Sequence, residues 1–232
     1  RDDFPVVRHD RRLPRPPLPR RRLELQPLGE VDLARWSGII LGGGPFNNSD
    51  PEDEKTPTQR RVEAELRRLA ETVVAEDFPF LGACYGIGTL GGLAGGIVDR
   101  TYAEPVGAVE IRLTEEGRAD PLFGVLSPAF EAFLGHKEAV RRLPDGAVLL
   151  ATSASCPVQG FRLGRNVYAT QFHPELDESG LHTRIEVYRH HGYFHPSEVE
   201  SLKAMATRSA VSEPPRMLTR FVELYAARRA GR

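Results

Sequence analysis

A chain of 232 residues with 40% hydrophobic content and a formal net charge of −1 carries enough apolar mass for one large α/β domain, or for a domain with a small appendage. Its 31 basic and 32 acidic residues nearly cancel, so no global charge directs it to nucleic acid. No apolar run approaches the length of a membrane span, and the polar, arginine-rich start is not a secretory signal; the two cysteines, Cys84 and Cys156, make no disulfide framework, and a reducing cytoplasm is the expected compartment.

Residues 1–22 are crowded with Arg and Pro, as in LPRPPLPRRR, a composition that favours extended or irregular chain and supplies little core. A basic arm for an acidic partner is the other reading of this stretch. Leu23-Glu-Leu25 is expected to be a short strand, and Ile39, Ile40 and Leu41 a core strand stopped by Gly42-Gly43-Gly44-Pro45. Successive backbone N–H groups in such a turn can form a nest for negative charge, although tight-turn geometry explains the glycines equally well. The polar stretch 47–58 has the length of a lid or rim loop. Val62, Leu66, Leu69 and Val73 then recur at helical spacing, with charges on the other faces, which predicts a solvated helix covering a sheet.

In Pro79–Gly96, Phe80, Leu81 and Ala83 end a buried strand and Tyr85-Gly-Ile-Gly begins a helix, so Cys84 sits on a tight strand-to-helix elbow between Gly82 and Gly86. Such an elbow lifts a thiol above the carboxyl ends of the strands, and a helix N-terminus beneath the sulfur favours thiolate. A buried cysteine in a glycine-rich turn is the competing reading. Neither glycine cluster is a P-loop, because the terminal Gly-Lys-Ser/Thr is missing.

Further strands are expected at 106–113, 130–134 and 147–151, with a helical turn over 121–125. Residues 158–163 and 167–172 should form a hairpin across Gly164-Arg165-Asn166. That hairpin delivers His173-Pro174-Glu175. A thiol that attacks a carbonyl needs a base, and the base needs an orienter; His173 and Glu175 have the chemistry for these roles, while a strand-capping histidine and a rim charge are the plainer alternatives. In the tail, Leu181, Ile185 and Tyr188 predict a helix. His190, His191 and His195 lack a completing ligand set and read as core or interface residues, so no metal is expected. Ser197 and Glu200 are a candidate capping box for a helix through Ala206. A last helix over 216–229 is expected to carry Leu218, Phe221, Val222 and Tyr225 on an apolar side, packed on the domain or in a homodimer contact.

Gly82-Ala-Cys84-Tyr-Gly86, followed about ninety residues later by Thr170-Gln-Phe-His173-Pro-Glu175, resembles the class I glutamine amidotransferases, and among them the amidotransferase domain of GMP synthases. The resemblance runs from about Leu23 to Glu175. It implies that Cys84 is the nucleophile, His173 the base and Glu175 its orienter. It further implies an oxyanion hole from the backbone N–H groups of Gly44 and Tyr85, and a substrate-holding loop at His136, Lys137 and Glu138. The fold expected is α/β: an open doubly wound, flavodoxin-like, mostly parallel sheet over 23–180, with a C-terminal helical extension over 181–232.

Two departures from the family pattern stand out. The residue four after the nucleophile, usually a substrate-positioning Gln, is Gly88, which leaves extra room near the reacting group. No strand and helix precede Leu23, and an open sheet without its first strand exposes an inner edge, so residues of the natural protein are expected to be absent from this sequence. The function expected is hydrolysis of the γ-amide of glutamine through a cysteine thioester, without a cofactor, with ammonia passed to an ATP-dependent amide-forming synthetase partner. A free-standing hydrolase of γ-glutamyl amides or peptides, and a non-catalytic binding protein of the same fold, are the alternatives.

Overall fold

The apolar rhythm of the sequence resolves into nine strands and six α-helices in the computed structural model, which describes residues 27–190 and 193–226. The strand expected at Leu23-Glu-Leu25 and the Arg/Pro-rich segment lie outside the described residues, as does His191. After a 3₁₀ turn at Leu33–Arg35, strand β1 (Ile39–Leu41) leads through the 42–56 loop into helix α1 (Pro57–Ala75). Thr56 caps α1 by accepting the N–H of Gln59 at 3.1 Å, and Pro57 occupies the first turn, where its missing donor costs nothing. Strand β2 (Phe80–Ala83) runs into helix α2 (Tyr85–Gly91). There follow β3 (Ile97–Asp99), β4 (Glu104–Leu113), α3 (Glu115–Ala119), β5 (Ala129–His136), β6 (Ala139–Arg142) and β7 (Val148–Thr152). Then come β8 (Gly160–Leu163), β9 (Val167–Thr170), α4 (Glu178–Tyr188), α5 (Val199–Arg208) and α6 (Pro215–Tyr225).

The main sheet has the order β1-β2-β9-β8-β7-β4-β5, and β3 and β6 form a separate antiparallel pair. This corrects the expectation of a flavodoxin-like, mostly parallel sheet. Only β1 with β2 and β2 with β9 are parallel; the other four of the six neighbouring pairs are antiparallel. The cause lies in the connections. Parallel neighbours need a crossover, usually a helix of a dozen residues with its loops, and α1 supplies one between β1 and β2. β7 and β8 are joined by residues 153–159 alone and β8 and β9 by the turn Gly164-Arg165-Asn166, connections too short for a crossover, so both pairs are antiparallel. Asp77 pins that turn, with Oδ1 accepting the N–H of Arg165 at 2.8 Å and of Asn166 at 2.9 Å.

Successive residues of β2 and β9 face opposite sides and feed two cores. Leu81 and Tyr168 join Ile111, Phe123 and Phe172 on one face, and Phe80 and Val167 join Val73, Ile87 and Phe161 on the other. The first face is covered by α6 through Met217, Phe221 and Tyr225, so the C-terminal helix is part of the core of the sheet. Val222, expected on the apolar side of α6, is instead 55% exposed. The expected capping box is also shifted: His195 and Glu198 cap a 3₁₀ turn at Pro196–Glu198 that leads into α5, which has no side-chain cap of its own. Among the described residues no helix is long and apolar enough to cross a membrane.

Candidate active site

Parallel pairing of β2 with β9 sets Ala83 opposite Thr170, so both chains leave the sheet at the same end. Cys84 follows one strand and the 171–175 turn follows the other, and residues almost ninety positions apart are delivered to one place. The N–H of Cys84 donates to the carbonyl of Thr170 at 2.8 Å. Cys84 has φ 53° and ψ −94°, a conformation that costs a non-glycine residue about 1–3 kcal/mol and persists only where the surroundings enforce it. They do so by close crossing: a Cβ on Gly82 would lie 2.9 Å from the carbonyl carbon of Gly86. Cys84 is partly exposed. Cys156 is fully buried, and burial pushes its thiol up to about 11.

His173 is buried, with its N–H bonded to the carbonyl of Phe133 on β5 at 2.9 Å. Its Nδ1 lies 2.7 Å from Oε1 of Glu175. A carboxylate only accepts, so Nδ1 carries the proton and Nε2 is the nitrogen left for the thiol. Burial opposes the imidazolium, but the charge and hydrogen bond of Cys84, reinforced by Glu175, outweigh it and hold the His173 pKa up at about 9. Burial likewise opposes the Glu175 carboxylate, and the hydrogen bond and charge of His173, with Arg184, hold it below the usual carboxylate range. Gly43 completes the contact, since a Cβ there would lie 2.8 Å from Cε1 of His173 and 3.6 Å from Cβ of Cys84.

Gly44, Tyr85, His136, Lys137 and Glu138 line, with Cys84, a cavity of about 20 Å³, room for about one water. Gly44 packs on the Tyr85 side chain, and Tyr85 is the first residue of α2, a position whose N–H has no acceptor within the helix. The loop expected to hold substrate is largely committed to the protein itself. His136 places Nδ1 2.9 Å from the carbonyl of Glu138 and Nε2 2.9 Å from Oε2 of Glu104. Glu138 accepts the N–H of Asn48 at 2.9 Å and of Ser49 at 2.7 Å, stapling the rim loop over α2. Nζ of Lys137 stands 4.6 Å from the centre of the Tyr193 ring.

Gly88 does not line this cavity. It borders a neighbouring cleft of about 480 Å³ together with Asn48, Lys55 and Arg60. On the side of the rim loop it is closely packed, because a Cβ on Gly88 would lie 2.7 Å from Nδ2 of Asn48 and 3.0 Å from Oε1 of Glu138. Asn48 is therefore a residue that local reading missed, since its placement depends on a carboxylate ninety positions away. Gln171 and Tyr193 line the cavity as well, and Arg184 reaches the His173–Glu175 pair from α4. The one sequence signal for Arg184 was its helical spacing from Leu181 and Tyr188, which puts a charge on a buried stripe. Among the described residues no group of three or more His, Cys, Asp or Glu is placed to hold a metal ion.

A family profile described as Glutamine amidotransferase class-I matches residues 22–186. The sequence is 31% identical over 148 residues to one subunit of the glutamine-hydrolysing GMP synthase of Methanobrevibacter smithii, 63% of this chain and 68% of that one. It is 31% identical over 159 residues to the corresponding subunit of Methanothermobacter thermautotrophicus, 68% of this chain and 73% of that one. Against the longer GMP synthase of Cellvibrio japonicus it matches 27% of the relative's length. Among solved structures, a glutamine amidotransferase from Thermotoga maritima superimposes with a TM-score of 0.66 at 24% identity, covering 84% of this chain and 80% of the other.

Proposed function

The chain belongs to the class-I glutamine amidotransferase family, and on that premise we propose that it hydrolyses the γ-amide of glutamine through a thioester on Cys84. The observation that carries this reading is the convergence of a strained, partly exposed Cys84 with a His173 whose Nδ1 is held by Glu175. In the proposed sequence the Cys84 thiolate attacks the γ-carbonyl carbon, and the charge that develops on oxygen faces the N–H groups of Gly44 and Tyr85. The carbon–nitrogen bond breaks, and nitrogen leaves as ammonia with a proton from His173. Water, deprotonated by His173, then attacks the thioester, releasing glutamate and restoring the thiol. Glu175 keeps the ring in the tautomer that serves both steps and stabilises the imidazolium.

The relatives named as single subunits of GMP synthases support a further element of the proposal, that the ammonia passes to a separate ATP-dependent amide-forming synthetase. Glutamate release from glutamine, measured with and without a synthetase partner, tests the proposal, with Cys84→Ala as the blank. A glutamine-like diazo-ketone should add once to the intact protein, at Cys84 and not at Cys156. Turnover that survives in Cys84→Ala, or an adduct at Cys156, would refute the assignment; no adduct and no turnover under either condition would point to a binding protein.

A further inference from the structure

Glu175 is an exposed anchor for a buried ring. Its side chain is 38% exposed, whereas that of the His173 it orients is 3% exposed. A carboxylate in that position can turn toward water and leave Nδ1 unpaired, unless a second group holds it. Arg184 is placed to do this. It lies on α4 between Leu181 and Tyr188 and lines an apolar hollow together with Leu134, Leu181, Ile185 and Tyr188. Its guanidinium carbon sits 5.5 Å from the centre of the Tyr188 ring, a cation–π distance that fixes the head group. Nη1 then stands 3.6 Å from Oε1 of Glu175, the same oxygen that receives Nδ1–H of His173.

The approach of Nη1 to Nδ1, 3.1 Å, brings two donors together. Neither can accept from the other while Nδ1 carries its proton, so the contact exists because both converge on one carboxylate oxygen. Gly43 keeps the space open from the other side, since a Cβ there would come within 2.9 Å of Nη2 of Arg184. The charged and titratable groups around the ring are thus Cys84 at the elbow, Glu175 in the turn and Arg184 on α4, with the phenols of Tyr188 and Tyr193 lining the adjoining hollow.

We propose that Arg184 is a positioning residue for the Cys84–His173–Glu175 constellation: it tethers the Glu175 carboxylate so that Oε1 stays on Nδ1 of His173. This rests on the reading of Cys84 as the nucleophile. Arg184 touches neither the thiol nor the substrate in this scheme and acts only through Glu175. Its loss should therefore lower kcat and leave KM nearly unchanged.

The test is a double-mutant comparison on the full chain. Arg184→Gln, Arg184→Lys, Glu175→Gln and the pair Arg184→Gln/Glu175→Gln are assayed for kcat, KM and pH dependence, and for the rate at which iodoacetamide alkylates Cys84 across pH. Expected are a loss of about tenfold in kcat for Arg184→Gln, with KM within about threefold, substantial recovery in Arg184→Lys, and no further loss when Arg184→Gln is added to Glu175→Gln. An equal loss in both backgrounds, a KM that rises by as much as kcat falls, or no rescue by lysine would overturn the proposal. Thermal unfolding separates a folding defect from these outcomes, because a misfolded variant loses alkylation selectivity and Tm together. An inactive parent protein whose Cys84 is not selectively alkylated would instead defeat the thioester reading, and the alkylation profile tells the two failures apart.

Discussion

Nδ1 of His173 lies 2.7 Å from Oε1 of Glu175, two positions further along the same turn, with Pro174 between them. Proline fixes φ of the intervening residue and shortens the set of conformations in which the two side chains can miss one another. Replacing Glu175 by Gln keeps the size and removes the charge. Glu175→Gln is expected to fold normally and to lower kcat by about 10²–10⁴-fold, since an amide neither enforces the same tautomer nor stabilises imidazolium. Equal glutamate release by the variant and the parent would show that the contact is idle.

The elevated pKa of His173, about 9 against an ordinary 6.5, has a definite sign. A ring whose folded-state value is raised contributes stability that is fully present below about pH 6.5 and is lost as pH climbs through about 9. Since Cys84 supplies the largest of the contributions that raise it, Cys84→Ala should bring the imidazole midpoint down. Titration of the His173 ring signals by NMR in parent and variant checks this, and the apparent midpoints belong to the thiol–imidazole pair as a unit. A midpoint unmoved by Cys84→Ala would mean that the two groups do not interact.

Gly88 and Asn48 should be coupled. A glutamine at 88 would drive its Cβ against Nδ2 of Asn48, which Glu138 holds in place, so Gly88→Gln alone is expected to destabilise by about 1–3 kcal/mol through overpacking. Adding Asn48→Gly should recover most of that loss. Urea unfolding of the two single variants and the double variant measures the coupling, and simple additivity would show that the rim loop yields without cost.

Phe221 and Val222 are adjacent on α6, about 100° apart around its axis, and only the first is buried. Phe221 is 3% exposed and packs so closely on Gly38 that a Cβ there would lie 2.9 Å from its ring. Phe221→Ala should cost about 3–5 kcal/mol, whereas Val222→Ala should stay within about 0.5 kcal/mol. Chemical denaturation of both variants tests whether α6 belongs to the core; equal, small losses would show that it does not.

Local features of the chain were legible without coordinates. Helical spacing located α1, the Gly82–Gly86 elbow placed Cys84 between strand and helix, and Gly164-Arg165-Asn166 marked the hairpin that carries His173. These depend on neighbours within a few residues, where dihedral preference and side-chain periodicity act directly. The direction of strand pairing was not legible, because apolar runs of four or five residues read the same whether their partners run parallel or antiparallel. What decided it was the length of the connections: residues 153–159 between β7 and β8 and 164–166 between β8 and β9 are too few for a helical crossover, so those strands pair antiparallel. Val222 and the His195–Glu198 cap were misjudged for a related reason: the rotation of a helix and the entry of its chain are set by the surface it meets. Asn48 carries no local signature, and for Arg184 helical spacing marks only the stripe it shares with Leu181 and Tyr188. Their positions follow from Glu175 on one side and Glu138 on the other, and only the folded sheet brings those carboxylates within reach.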